Sequence, residues 1–288
     1  MLFRSCRSVF LVLVLLLTAG APARRPFLWK VQSDSGTVYL FGSIHAAKPE
    51  MYPLDPRVYQ AFDAADKLVL EADISGEKIF ALAGQMMARA MYPPEDSLAK
   101  HLRPATYARA QTELTKLGLP FDQFKPWFLA MMLEAVTLES SGLSMQHGME
   151  LHFLARAQGG KPILELEGAE AQIALLDNLT DEQQDVFLLR TIDSLETVAE
   201  SLEKLLAAWT AGDDKALAAF LEESLQDTPA FGPVYRKLLD DRNQRMAAKI
   251  AEYLATDQTY FVVVGAGHLV GEHGLLRLLA QRYKINQL

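Results

Sequence analysis

The chain has 288 residues, half of them hydrophobic, with 28 Lys and Arg against 36 Asp and Glu and a formal net charge of −8 at pH 7. That acidic balance, with no basic cluster, excludes a nucleic-acid phosphate backbone as a partner. The single cysteine, Cys6, excludes a disulfide framework and any cysteine-based metal site or nucleophile in the chain beyond it.

Residues 1–23 read as a signal peptide. Arg4 and Arg7 supply a basic start, residues 9–17 an unbroken apolar run, and Ala19-Gly20-Ala21-Pro22-Ala23 small residues for cleavage. The run is shorter than the about 20 residues of a membrane span. Cys6 precedes it instead of standing at the cleavage site, which argues against a lipid anchor. The expected mature protein begins near Arg24, is periplasmic or secreted, and keeps no stable membrane span. It loses Arg4 and Arg7 and so becomes more acidic by two charges. What remains suffices for one large or two small domains.

Residues 27–32 and 37–44 predict a β-hairpin around Ser33-Asp34-Ser35-Gly36. The second strand runs through Val38-Tyr39-Leu40-Phe41 into Gly42-Ser43-Ile44-His45. Gly42 is read as the strand's end and His45 as a residue at the lip of the sheet, where α/β folds gather ligands. A loop over 48–53 and a helix over 56–65 follow. Residues 67–73 predict a third strand with Glu71 and Asp73 on one face. An acid there can be a ligand, a general base or simply solvated.

Residues 75–141 read as helical, broken at Pro93-Pro94, Pro104 and Gly118-Leu119-Pro120. Met86, Met87, Met91, Met131, Met132 and the aromatics around Trp127 are spaced as packing faces. His147 and His152 are five apart, so they do not form H-E-x-x-H. The segment is read as a helix start with Glu150 in its first turn. Residues 161–166 predict a fourth strand, followed by Glu167-Gly168 and a helix from about Ala169. Amphipathic helices are expected over 180–211 and 213–225, and a long helix from Gly232-Pro233 toward Tyr253 carries Asp241-Arg242-Asn243. Residues 259–264, TYFVVV, predict a buried strand that empties into Gly265-Ala266-Gly267-His268. A helix over 271–282 and a strand over 283–285 end the chain.

Two strands therefore end in the same Gly-x-x-His device, in a chain with only six histidines. With LVLEAD between them, GKPILELEGAEAQ in the middle and DRNQRMAAKI later, in that order, the chain resembles the TraB/GumN family. That family is related to the Tiki proteases and more remotely to the erythromycin-esterase and ChaN-like groups. The resemblance implies an α/β (α+β-like) fold, with a mixed sheet made by the N- and C-terminal parts. It implies a single domain over 24–288 with helical insertions at roughly 75–158 and 169–255. It also suggests a divalent-metal-dependent hydrolase acting on a peptide or small molecule, by analogy with the Tiki branch. His45 and His268 match the motif histidines, Glu71 the acid of the following strand, Glu167 the family's Leu-Glu, and Arg242-Asn243 its helical Arg-Asn. Where the family usually has Gly-apolar-Asp, this chain has Gly148-Met149-Glu150.

Chemically, His45, Glu71 and His268 make a three-ligand set that leaves a position for water on a divalent ion such as Mn, Co or Zn. Glu71 is expected as ligand or base, Glu167 as a second group for proton transfer, and Arg242 as a fork for a substrate carboxylate. No Gly-x-Ser-x-Gly elbow occurs. Two rivals stand: a metal-free hydrolase in which His45 and Glu71 activate water directly, and a non-enzymatic cleft for haem or another apolar ligand with histidine as axial ligand.

Overall fold

The computed structural model describes residues 25–76, 78–118 and 121–288. The signal segment over 1–23 lies outside the described residues. Six strands form one mixed sheet: β1 (Leu28–Gln32), β2 (Thr37–Ser43), β3 (Lys67–Leu70), β4 (Ile163–Glu165), β5 (Thr259–Gly265) and β6 (Lys284–Gln287). Their spatial order is β4-β3-β5-β2-β1-β6. β4, β3, β5 and β2 run parallel, whereas β1 is antiparallel to both β2 and β6. The fold is α/β, and strands from both ends of the chain build its sheet.

The period-2 alternation of the strands feeds two cores, one on each face. Val38, Leu40, Val69, Tyr260, Val262 and Val264 pack against Met246, Ile250 and Leu254 of the helix Asp241–Leu254. Phe41, Leu68, Leu70, Phe261 and Val263 pack on the other face against Val58 and Phe62 of the helix Pro56–Ala64, and Phe153 of the helix Met149–Ala157. A third core gathers Trp127, Leu129, Leu133, Leu188 and Ile192 with others from residues 90–234, without a strand residue. Met86, Met131 and Met132 pack against this core, but Met87 and Met91 are exposed.

Three local expectations need correction. Strand β3 stops at Leu70; beyond it the Glu71 carbonyl accepts the N–H groups of Glu167 and Gly168, while its side chain turns to the Gly265 N–H. Glu71 and Asp73 therefore do not share a strand face: the Asp73 N–H donates to Glu165 Oε1 at 2.6 Å, and its carboxylate takes Lys78 Nζ at 2.5 Å. Gly42 does not end β2, which continues through Ser43. Gly42 is needed for close approach instead, since a Cβ there would lie 2.5 Å from Phe27 Cδ1 and 2.9 Å from Leu269 Cδ1. The last helix covers only Leu275–Leu279, and residues 271–274 form a tight turn before it.

Candidate functional site

β2 and β5 lie side by side in parallel register, with Gly42 opposite Val264 and Ser43 opposite Gly265. The two Gly-x-x-His segments thus leave the same sheet edge from neighbouring strands. β3 is the other neighbour of β5, and Glu71 follows its last residue. Three adjacent strand ends deliver His45, His268 and Glu71 to one place. A Cβ built on Gly265 would meet His45 Nε2 at 3.2 Å, Glu71 Oε1 at 3.5 Å and His268 Cδ2 at 3.6 Å. The missing side chain of Gly265 is the space these groups surround.

Glu71 is held from both oxygens. Oε1 accepts the Gly265 N–H at 2.7 Å, and Oε2 accepts Gln172 Nε2 at 3.1 Å and Arg242 Nη2. Arg242 also donates from Nε and Nη2 to Glu167 Oε2 at 2.9 and 2.7 Å, and from Nη1 to the Leu238 carbonyl at 3.2 Å. Its fork is therefore engaged within the protein rather than open to a substrate carboxylate. Glu167 is equally committed, with Arg245 Nη2 lying 3.6 Å from its Oε1. Burial raises the Glu71 carboxyl, but His268, His45, Arg242 and the Gly265 N–H outweigh it and hold the group at about 2. Burial takes the His268 imidazole down to about 4, against the pull of Glu71. With that ring neutral at pH 7, the charges acting on Glu71 are those of His45 and Arg242.

His45 stands more openly, its side chain 61% exposed, with Nδ1 2.8 Å from Glu150 Oε1. The same oxygen accepts the Ser43 hydroxyl. The Glu150 charge raises the imidazole to about 9. Gly148 makes this contact possible. A Cβ there would lie 2.3 Å from the His45 carbonyl oxygen, so only glycine lets the helix Met149–Ala157 start against the motif loop. Ser43 and Glu150, which the motifs alone left without a role, thus sit in the contact sphere of the first histidine. On the second, Asn243 Oδ1 lies 2.7 Å from His268 Nδ1, and His268 Nε2 lies 3.8 Å from Glu71 Oε1. Gln172 carried no sequence signal; its place became visible only once the helix Ala169–Asp177 was set beside Glu71. His152 is elsewhere, stacked on Tyr52 with ring centroids 4.6 Å apart.

Among the described residues, no three His, Cys, Asp or Glu side chains are closed around a point as metal ligands. The donors present nevertheless fit a divalent ion in chemistry: the neutral imidazole of His268, a carboxylate that stays ionised, and the imidazole of His45, which would release its Nε2 proton on binding. Ligands of a tetrahedral ion lie about 3.3–3.5 Å apart for bonds of about 2.0–2.2 Å. The His268–Glu71 separation is close to that, and His45 Nε2 reaches the same space beside Gly265.

The chain is similar to several known proteins over most of its length. YbaP of Escherichia coli strain K12 is 30% identical over 250 residues, covering 84% of this chain and 87% of YbaP. A metalloprotease TIKI homolog of Amphimedon queenslandica is 20% identical, over 91% of this chain and 61% of its own length. Metalloprotease TIKI2 of Danio rerio is 22% identical, over 88% of this chain and 59% of its own length. No solved structure matches the chain significantly. The profile of the TraB/PrgY/gumN family matches residues 27–287, nearly everything beyond the N-terminal segment. The chain belongs to the TraB/PrgY/gumN family.

Proposed function

We propose that the protein is an exported, metal-dependent hydrolase of peptide or ester bonds, with His45, Glu71 and His268 as the ligands of one divalent ion. The observation that carries this reading is the convergence of two imidazoles and an ionised carboxylate on the empty side of Gly265. The distant likeness to proteins named metalloproteases supports it. An ion bound there would lower the pKa of a water toward about 7 and polarise a carbonyl. The chain's own residues do the rest. Arg242 and the Gly265 N–H fix the Glu71 carboxylate in one orientation, and Glu167 anchors Arg242 from behind. Glu150 holds the His45 ring by Nδ1, which turns Nε2 toward the centre. The exposed edge of His45 is the side from which substrate would enter. Export rests on the basic, apolar and small-residue pattern of residues 1–23. No helix among the described residues is long and apolar enough to cross a membrane.

A metal-free mechanism is less well served by these residues. A carboxyl held at about 2 and an imidazole raised to about 9 are both badly matched to proton abstraction at neutral pH. An apolar-ligand cleft fits worse, since the groups around the centre are Glu71, Glu150, Glu167 and Arg242. The reading is tested by removing the metal: a chelator should abolish hydrolysis of a peptide or ester panel, and added Mn, Co or Zn should restore it.

A further inference from the structure

The second histidine is held by a chain of contacts that allows only one arrangement of its protons. Asn243 is 2% exposed and lies on the helix Asp241–Leu254, next to Arg242. Its Nδ2 donates to the His273 carbonyl at 2.9 Å. A carbonyl can only accept, so the amide cannot be flipped without setting two oxygens against each other. Asn243 Oδ1 is therefore the atom facing His268 Nδ1 at 2.7 Å, and it needs a hydrogen from that nitrogen. The other tautomer would press two lone pairs together at that distance. It would gain nothing at the far end, where Nε2 and Glu71 Oε1 are 3.8 Å apart, beyond hydrogen-bond range.

We propose that Asn243 is a positioning residue that fixes His268 as the Nδ1–H tautomer, so that the Nε2 lone pair points into the space beside Gly265 before any ion arrives. This rests on the metallohydrolase reading for its purpose, but not for its geometry. The turn over 270–274 is part of the device, because it supplies the carbonyl that orients the amide. That turn is tight: a Cβ on Gly274 would lie 2.2 Å from the Val270 carbonyl oxygen. Ligand histidines elsewhere depend on such a partner on the other ring nitrogen, and its loss costs about 10–100-fold in metal affinity.

The test is long-range proton–nitrogen NMR of the metal-free mature protein at pH 7, with His268 assigned by its loss in His268→Gln. The wild type should show a pyrrole-type Nδ1 and a pyridine-type Nε2 on His268. Asn243→Leu, similar in size but without an acceptor, should show mixed tautomers and bind Zn about 10–100-fold more weakly. Asn243→Asp keeps the acceptor while giving up the donor to His273, and should keep the tautomer. An Nε2–H tautomer in the wild type overturns the proposal, and that result does not depend on any variant folding. An unchanged tautomer in folded Asn243→Leu overturns it as well. A wild type with the expected tautomer that binds neither Zn nor Mn overturns instead the metallohydrolase reading, and with it the purpose given to Asn243.

Discussion

Glu150 Oε1 lies 2.8 Å from His45 Nδ1 and accepts the Ser43 hydroxyl on the same oxygen, so the first motif histidine is tied to a helix about a hundred residues further along the chain. This contact explains why one ring of the pair is charged and the other neutral. His45 faces a carboxylate that is its hydrogen-bond partner, whereas His268 faces an amide oxygen and is buried.

Replacing Glu150 with Gln should bring His45 back toward its ordinary pKa of about 6.5. The folded pKa of about 9 is raised. Its stabilisation is therefore present in full below about 6.5 and is lost as pH rises through about 9. A ring-proton NMR titration of metal-free protein reads the shift directly. The melting temperatures of wild type and Glu150→Gln should differ at pH 6 and converge above pH 9. A His45 pKa unmoved by the substitution contradicts the pairing.

Gly265→Ala should silence the centre while sparing the fold. The backbone at Gly265 has φ −51°, which alanine adopts without strain. The added methyl occupies the space between His45 Nε2, Glu71 Oε1 and His268. Stability should change by no more than about 1 kcal/mol, read by urea unfolding. Metal binding and hydrolysis should both disappear. Retained metal affinity would place the ion somewhere else.

Arg242→Leu strands two buried carboxylates, Glu71 and Glu167, whose side chains are 12% and 6% exposed. Removing one partner of such a buried arrangement costs about 3–5 kcal/mol. Adding Glu167→Gln to the same chain should recover part of that loss, since it removes one of the unpaired charges. If the double variant is no more stable than the single one, Glu167 is not balanced by Arg242.

Acid should weaken the protein in two stages. His268 is held at about 4, below its unfolded value of about 6.5, so the unfolded chain binds the extra proton first. Stability then falls as pH drops from about 6.5 to 4, on the order of 2–3 kcal/mol for this group. Glu71, held at about 2, contributes stability above about 4.5 that is lost as pH falls further. His268→Gln should flatten the first stage in urea titrations and move the second to higher pH, because the charged His268 ring is the largest of the pulls that hold Glu71 down. An unchanged slope between pH 6.5 and 4 in that variant rules out a neutral, buried His268.

Strands β2, β3 and β5 were legible because each is a short apolar run, and the repeated Gly-x-x-His marked two of them as special. Their adjacency was not legible: β2 and β5 pair through a parallel register that no local pattern announces. The same limit hid the roles of Glu150, Asn243 and Gln172, which reach the centre from helices placed by packing. Arg242 stood out as a residue type suited to carboxylates, and the carboxylates it holds are the protein's own. The extension of β3 to Asp73 failed because the partner segment turns away there: Glu167 and Gly168 both donate to the Glu71 carbonyl, and the Asp73 N–H goes to the Glu165 side chain instead of a backbone partner.

Metal content tests the central claim most directly. Mature protein prepared without chelator or affinity histidines should carry one divalent ion per chain. His45→Ala and His268→Ala should each lower that occupancy in step with hydrolysis of peptides or esters, with partial recovery in excess metal. Hydrolysis that persists undiminished in wild-type protein stripped of metal would contradict the account and shift the chemistry to His45 and Glu71 alone.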